Sequence, residues 1–308
     1  MSTRPGSDPD RSESLDVSEI PALVDLLADP EESVAARVEE RLRAHGPAAE
    51  SALRGASEDS EPRRRTRARR LLEELTTEDA FAQLRRRADL ATVDLESALF
   101  DLAALNGSLG ELADARAQLD LWGEVVLGRV GAAAVEGNNA SFDAPMALVE
   151  VLAEEVGLNG ASDDYHHPDN VQLHRVVARL RGMPLSLCAI YLFVARRAGL
   201  RVAPVALPGH VILRLYSRNR SMLIDPFDGG AVRTRKECLG FLLERGLSPR
   251  AEWFADATDA ALFQRHLINL ANSHRQRGRA TTARRLQDIA GIVAGRRGLH
   301  PAGDPESA

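Results

Sequence analysis

Cysteine is scarce. The 308-residue chain carries Cys188 and Cys238 and no other, too few for a disulfide framework and without the CxxC spacing that zinc sites use. Lysine is scarcer: Lys236 stands alone and every other basic residue is arginine, which reads as coding bias. Apolar runs are short, and none approaches the roughly 20 residues of a membrane span. Residues 1–16 hold one large apolar side chain after Met1, namely Leu15, so they cannot form the apolar stretch of a signal peptide. These absences lead to an expectation of a soluble protein in the reducing cytoplasm, with no membrane partner. The formal net charge is −6, so the global balance offers a nucleic-acid partner no support.

What is present suits a globular chain: 44% hydrophobic and 27% charged residues. Residues 1–16 and 296–308 are polar and charged and read as disordered. Residues 17–77 read as short helices, with apolar faces through Val17, Ile20, Leu23, Leu27 and Val34, Val38, Leu42, broken at Asp29-Pro30 and Gly46-Pro47. Their pairing suggests a HEAT-like helical segment, which must stack on a neighbour to bury its apolar face. Within it, Arg63 to Arg70 could bind phosphates or acids, or could be the solvated side of a helix whose other face holds Ala68, Leu71 and Leu72. Residues 78–157 read as acidic helices, with turns at Asn106-Gly107 and at Asn138-Asn139.

After Gly157 the texture changes. A loop leads to a helix over 171–180. Pro184 opens another helix that ends at Gly199, the expected placement of both residue types. Strand-like runs follow at Val202–Leu207, His210–Tyr216 and Ser221–Asp225, then a helix over 235–246. Residues 246–295 read as a tetratricopeptide-like helical hairpin punctuated by Gly278.

This order of parts suits thiol chemistry: a helix start that can lower a thiol pKa, then a His to take the proton, then an Asp to orient the His. If Arg218-Asn219 is a hairpin tip, Ile212 opposes Asp225, and His210 and Asp225 become diagonal neighbours on one face. A slip of one residue would separate them. Cys188 lies one helical turn beyond Pro184 and could be a nucleophile or a small buried side chain. Ser186 points roughly 200° away from Pro184 around the helix, and Cys238 sits among Leu239, Phe241 and Leu242. The stretch Asp163-Asp164-Tyr165-His166-His167-Pro168-Asp169-Asn170 is dense in metal-ligand types, although Asn170 capping the next helix accounts for it without a metal.

Four stretches carry a family resemblance: Asp164 to Asn170, Arg181-Gly182-Met183-Pro184-Leu185-Ser186-Leu187, Leu207-Pro208-Gly209-His210-Val211, and Ile224-Asp225-Pro226-Phe227-Asp228-Gly229-Gly230. Together they resemble the SirB-type branch of the transglutaminase-like superfamily over about residues 78–290, with Leu185 and Val211 departing mildly. The resemblance implies a predominantly helical α+β fold: a papain-related core over 158–245 with a small antiparallel sheet, within a domain spanning 78–245. It implies His210 and Asp225 as catalytic partners, and Tyr165, Asn170, Gly182, Pro208, Gly209, Pro226, Phe227, Gly229 and Gly230 as motif residues. Active relatives carry Gly-x-Cys at the helix start, where this chain has Gly182-Met183-Pro184. Proline offers neither nucleophile nor backbone N–H. The expectation is a binding or regulatory module with no cofactor or metal and an unidentified protein partner. The alternative is an acyl-transfer enzyme using Cys188, His210 and Asp225.

Overall fold

The structure, a computed structural model, describes residues 16–135, 143–218 and 220–297. The expectations for residues 1–15 and 298–308, and those for Asn138, Asn139 and Asn219, lie outside the described residues. The chain divides into two compact units at Asp79/Ala80.

The first unit builds on α1 (Ile20–Leu26), α2 (Glu32–His45), α3 (Glu50–Ala56) and the start of α4 (Pro62–Asp89). Glu32 in the first turn of α2 and Arg43 and His45 in its last complement the helix dipole. Leu27, Leu42, Leu53 and Leu71 close its core, each fully buried. The arginine run turns back onto its own unit. Arg67 donates to the carbonyls of Leu27 and Asp29 at 2.9 and 2.8 Å, Arg64 pairs with Asp59 at 2.9 Å, Arg69 donates to the Ser57 carbonyl at 2.9 Å, and Arg70 pairs with Glu39. Helix α4 runs without a break past Thr77, because the stretch holds neither Gly nor Pro.

The second unit begins with α5 (Leu95–Ala103), α6 (Leu109–Val135) and α7 (Asp143–Val149). One π-helical turn, Glu150–Glu155, extends α7. Then follow β1 (Asn159–Gly160), α8 (Leu173–Arg179), β2 (Arg181–Gly182) and α9 (Pro184–Arg197). Strands β3 (Val202–Leu207), β4 (His210–Ser217), β5 (Arg220–Asp225) and β6 (Ala231–Arg233) form an antiparallel sheet in chain order, while β1 and β2 form a short parallel pair. Helices α10 (Arg235–Glu244), α11 (Asp259–Gln276) and α12 (Ala280–Arg297) complete the fold. Thr234 and Glu237 close a reciprocal capping box on α10.

Two sequence expectations need correction. Helix α8 starts at Leu173, because Pro168–Asn170 forms a 3-10 turn first. Its N-cap is therefore Gln172, and Asn170 is not the cap. Helix α12 continues to Arg297, into the stretch read as tail, and Arg296 Nε donates to Asp89 at 2.9 Å.

Helix α9 is buried from Pro184 to Ala195, which explains its lack of a polar face. The sheet separates two cores by side-chain alternation. Val211, Leu213 and Leu215 join the large core around α9. Ile212 joins Val205, Leu207, Cys238 and Leu242 in a smaller core under α10. His210 shares the side of Ile212.

Candidate functional site

The β4–β5 ladder runs from Ser217↔Arg220 to Leu213↔Ile224. This is the register expected from an Arg218-Asn219 tip, and it brings His210 to Asp225, with Nε2 to Oδ2 at 2.9 Å. The other carboxylate oxygen of Asp225 accepts the Phe227 N–H at 3.1 Å, and Arg233 Nε lies 3.7 Å from Oδ2. Asp225 is buried, with 6% of its surface exposed. Burial works against its charge. The hydrogen bond and charge of His210, the Phe227 amide and Arg233 outweigh that penalty and hold the carboxyl below its ordinary value. An ionised Asp225 can only accept, so Nε2–H donates to it, which leaves Nδ1 as the second functional atom of the ring. Phe227 and Phe241 hold the imidazole by ring contacts at 6.2 and 5.5 Å between centroids.

The remaining motif residues build the frame. Asn170 is fully buried. Its Nδ2 donates to the carbonyls of Asp164 and Tyr165 at 2.9 and 3.1 Å. Its own carbonyl accepts the Met183 N–H at 2.9 Å, which fixes the start of α9. Gly182 is required by contact: a Cβ there would meet Val176 at 2.7 Å. Gly230 has φ +78°, and its Cβ would meet Val149 at 2.5 Å. Its N–H donates to the Asp225 carbonyl at 2.9 Å. Pro226 opens the 3-10 turn that carries Phe227, and Gly229 closes it. Pro208 and Gly209 form the β3–β4 turn ahead of His210.

Two cavities, of about 830 and 480 Å³, meet at this point, and both are lined by Tyr165, Pro184, Gly209 and His210. Pro184 is the first residue of α9, and no side chain caps that helix end. The candidate nucleophiles are elsewhere. Cys188 is fully buried, lines neither cavity, and donates its thiol to the Val211 carbonyl at 3.2 Å. Burial, reinforced by the Asp225 charge, pushes that thiol well above its ordinary value. Ser186 is buried and donates to the Val171 carbonyl at 3.2 Å. Cys238 lines the larger cavity but is 5% exposed, and its thiol is also pushed up, chiefly by burial. The geometry thus unites His210 with Asp225 and leaves Cys188 outside the cleft.

Among the described residues, no group of three or more His, Cys, Asp and Glu side chains could hold a metal ion. In the 163–170 stretch, His167 Nδ1 accepts the Asp169 N–H at 3.1 Å, and Asp164 pairs with Arg277 at 2.8 Å. No helix among the described residues is long and apolar enough to cross a membrane. The sequence reading missed Arg233, Phe241 and the α11 wall of the smaller cavity. The last had a signal in the helical spacing of Arg265, Asn269, Asn272 and Gln276.

Comparison with known proteins agrees with this architecture. The family described as the transglutaminase-like superfamily matches residues 114–268, just over half of the chain. A UPF0162 protein of Xylella fastidiosa is 38% identical over 84 residues, 27% of this chain and 30% of that protein. SirB1 of Salmonella typhimurium is 33% identical over 115 residues, 37% of this chain and 42% of that protein. Human F-box only protein 21 is 32% identical over 100 residues, 30% of this chain and 16% of that protein. The chain therefore covers less than half the length of each. No solved structure matches. Fold, motif residues and sequence kinship agree: the chain belongs to the transglutaminase-like superfamily, in its SirB-type branch.

Proposed function

We propose that this chain is a non-catalytic member of its superfamily, a protein-binding or regulatory module whose cleft holds a ligand without forming a covalent intermediate. One observation carries the reading: Pro184 stands beside His210 on the walls of both cavities, while Cys188 is buried and bonded to a backbone carbonyl. His210 and Asp225 have no nucleophile to activate at the helix start, and Cys238 on the wall of the larger cavity is buried with its thiol pushed up. In the same reading the helical segments 17–77 and 246–295, which precede and follow the core in the sequence, are repeat-like contact surfaces for a protein partner.

The test pairs chemistry with turnover. One portion of native protein is treated with iodoacetamide at mildly acidic pH, and a second, untreated portion is incubated with a glutamine-containing peptide and a primary amine. Mass spectrometry of the digested protein is expected to show no alkylated Cys188, and that of the peptide no cross-linked, deamidated or cleaved product. Turnover that His210→Ala abolishes would overturn the reading and revive the Cys188-His210-Asp225 enzyme.

A further inference from the structure

The two cavities that meet at His210 differ in charge. The larger is lined by Asp225, Asp228, Glu237 and Glu244 as well as Arg233 and Arg245. The smaller has no carboxylate in its lining, although the chain carries 45 acidic residues against 39 basic ones. One wall comes from α11: Arg265, Asn269, Asn272, Arg275 and Gln276. Arg265, Asn269, Asn272 and Gln276 recur at helical spacing, so they form one stripe along the helix. From Arg265 to Gln276 the stripe is about 16 Å long, the length of roughly five residues of extended chain.

We propose that this stripe and the His210 end of the cleft bind an extended acidic peptide segment. The inference rests on the non-covalent reading of the cleft and supplies its ligand class. Carboxamides donate and accept at once, which suits the alternating N–H and C=O groups of an extended backbone. On this stripe Asn269 is half-buried and Gln276 is exposed. Arginine supplies planar donors for carboxylates. Arg275 is exposed at the outer end, where it donates to Asn272 Oδ1 at 2.8 Å. Arg265 stands at the inner end and donates to the Leu207 carbonyl at 3.0 Å, which ties α11 to the turn before His210. A nucleic acid would also satisfy the charge, and Tyr165, His166 and His210 on the same cavity wall offer rings for bases, but the row of carboxamides along α11 matches a peptide backbone.

The full chain is applied to an array of immobilised pentapeptides whose positions vary among Glu, Lys, Leu and Gly. The selected sequences are remeasured in solution by fluorescence anisotropy. Glu-containing peptides are expected to be selected, to bind at least 10-fold more weakly to Arg275→Glu, and to be retained by Arg275→Lys. Arg275→Glu is also expected to shift selection towards Lys. Both substitutions lie on an exposed site, and circular dichroism checks the fold. Selection without enrichment in Glu, no selection at all, indifference to Arg275→Glu, or stronger displacement by a single-stranded oligonucleotide than by unlabelled Glu peptide would each overturn the proposal. Mass spectrometry of the recovered peptide separates the two readings: a cleaved or modified peptide defeats the non-covalent reading, whereas an intact, unselected one defeats only the ligand class.

Discussion

His210 and Asp225 form a pair in which each depends on the other. Replacing Asp225 with Ala leaves Nε2 and the Phe227 N–H without their acceptor, and a loss of about 2–4 kcal/mol is expected in urea unfolding at pH 7. Asp225→Asn keeps one carbonyl acceptor and is expected to lose less. The pH dependence follows from the lowered carboxyl. The folded state holds Asp225 below its ordinary value near 3.8, so its stabilisation is complete above that value and disappears as pH falls through the folded pKa. Urea midpoints at pH 7 and pH 3 are therefore expected to differ more for wild type than for Asp225→Asn, with the two proteins converging in acid. Equal acid sensitivity of the two would show that His210 and Arg233 do not stabilise the charged form.

At the scale of the element, the start of α9 is the decisive feature. Pro184→Cys places a thiol at the first turn of a helix whose end has no side-chain cap, on a cavity wall that it shares with His210. Such a thiol should have a lowered pKa. Iodoacetamide at pH 6.5 is expected to label it at least 10-fold faster than native Cys188, and failure to do so would mean that Pro184 does not mark a nucleophile position. The turn after β5 has its own constraint. Gly230→Ala meets both a positive φ and the Val149 side chain, and should lower stability by about 2–4 kcal/mol, read from the thermal midpoint. Much of this was legible in the sequence. Turn residues and period-two alternation set the β4–β5 register, and Pro184 and Gly199 bracket α9. Other parts carried no local signal. Strands β1 and β2 are two residues each, too short for any periodicity. Helix α8 is capped at its C-terminal end by Leu180 with φ +56°, where no glycine advertises the turn. Arg233 reaches Asp225 only through the pairing of β6 with β5, a contact that the flanking residues do not encode.

For the whole molecule, acid sensitivity should arise from buried imidazoles on α11 more than from the cleft. His266 is fully buried, and its Nδ1 is 2.9 Å from the Leu262 carbonyl. Its Nε2 and both ring nitrogens of His274 are buried without a partner among the described residues. Burial lowers His266 to about 4. Burial together with Arg279 and Arg277 lowers His274 to about 4 as well. In the unfolded chain these rings take up protons near the ordinary 6.5. Between those values the unfolded state binds protons that the folded state refuses, so folding stability is full above about 6.5 and declines as pH falls towards 4. Each such ring should remove about 2 kcal/mol between pH 7 and pH 5. Helix α11 packs on α12 and on α5, and Leu262, Leu267, Leu270 and Leu286 lie in the large core, so the penalty falls on that core itself. His266→Gln removes one titrating ring and keeps a polar side chain of similar reach. Its urea midpoint is expected to change less between pH 7 and pH 5 than that of wild type, by an amount equivalent to about 2 kcal/mol. Parallel pH profiles for the two proteins would mean that the His266 ring takes up its proton in the folded core as readily as in the unfolded chain, and the acid sensitivity would have to come from His274 and the carboxylates.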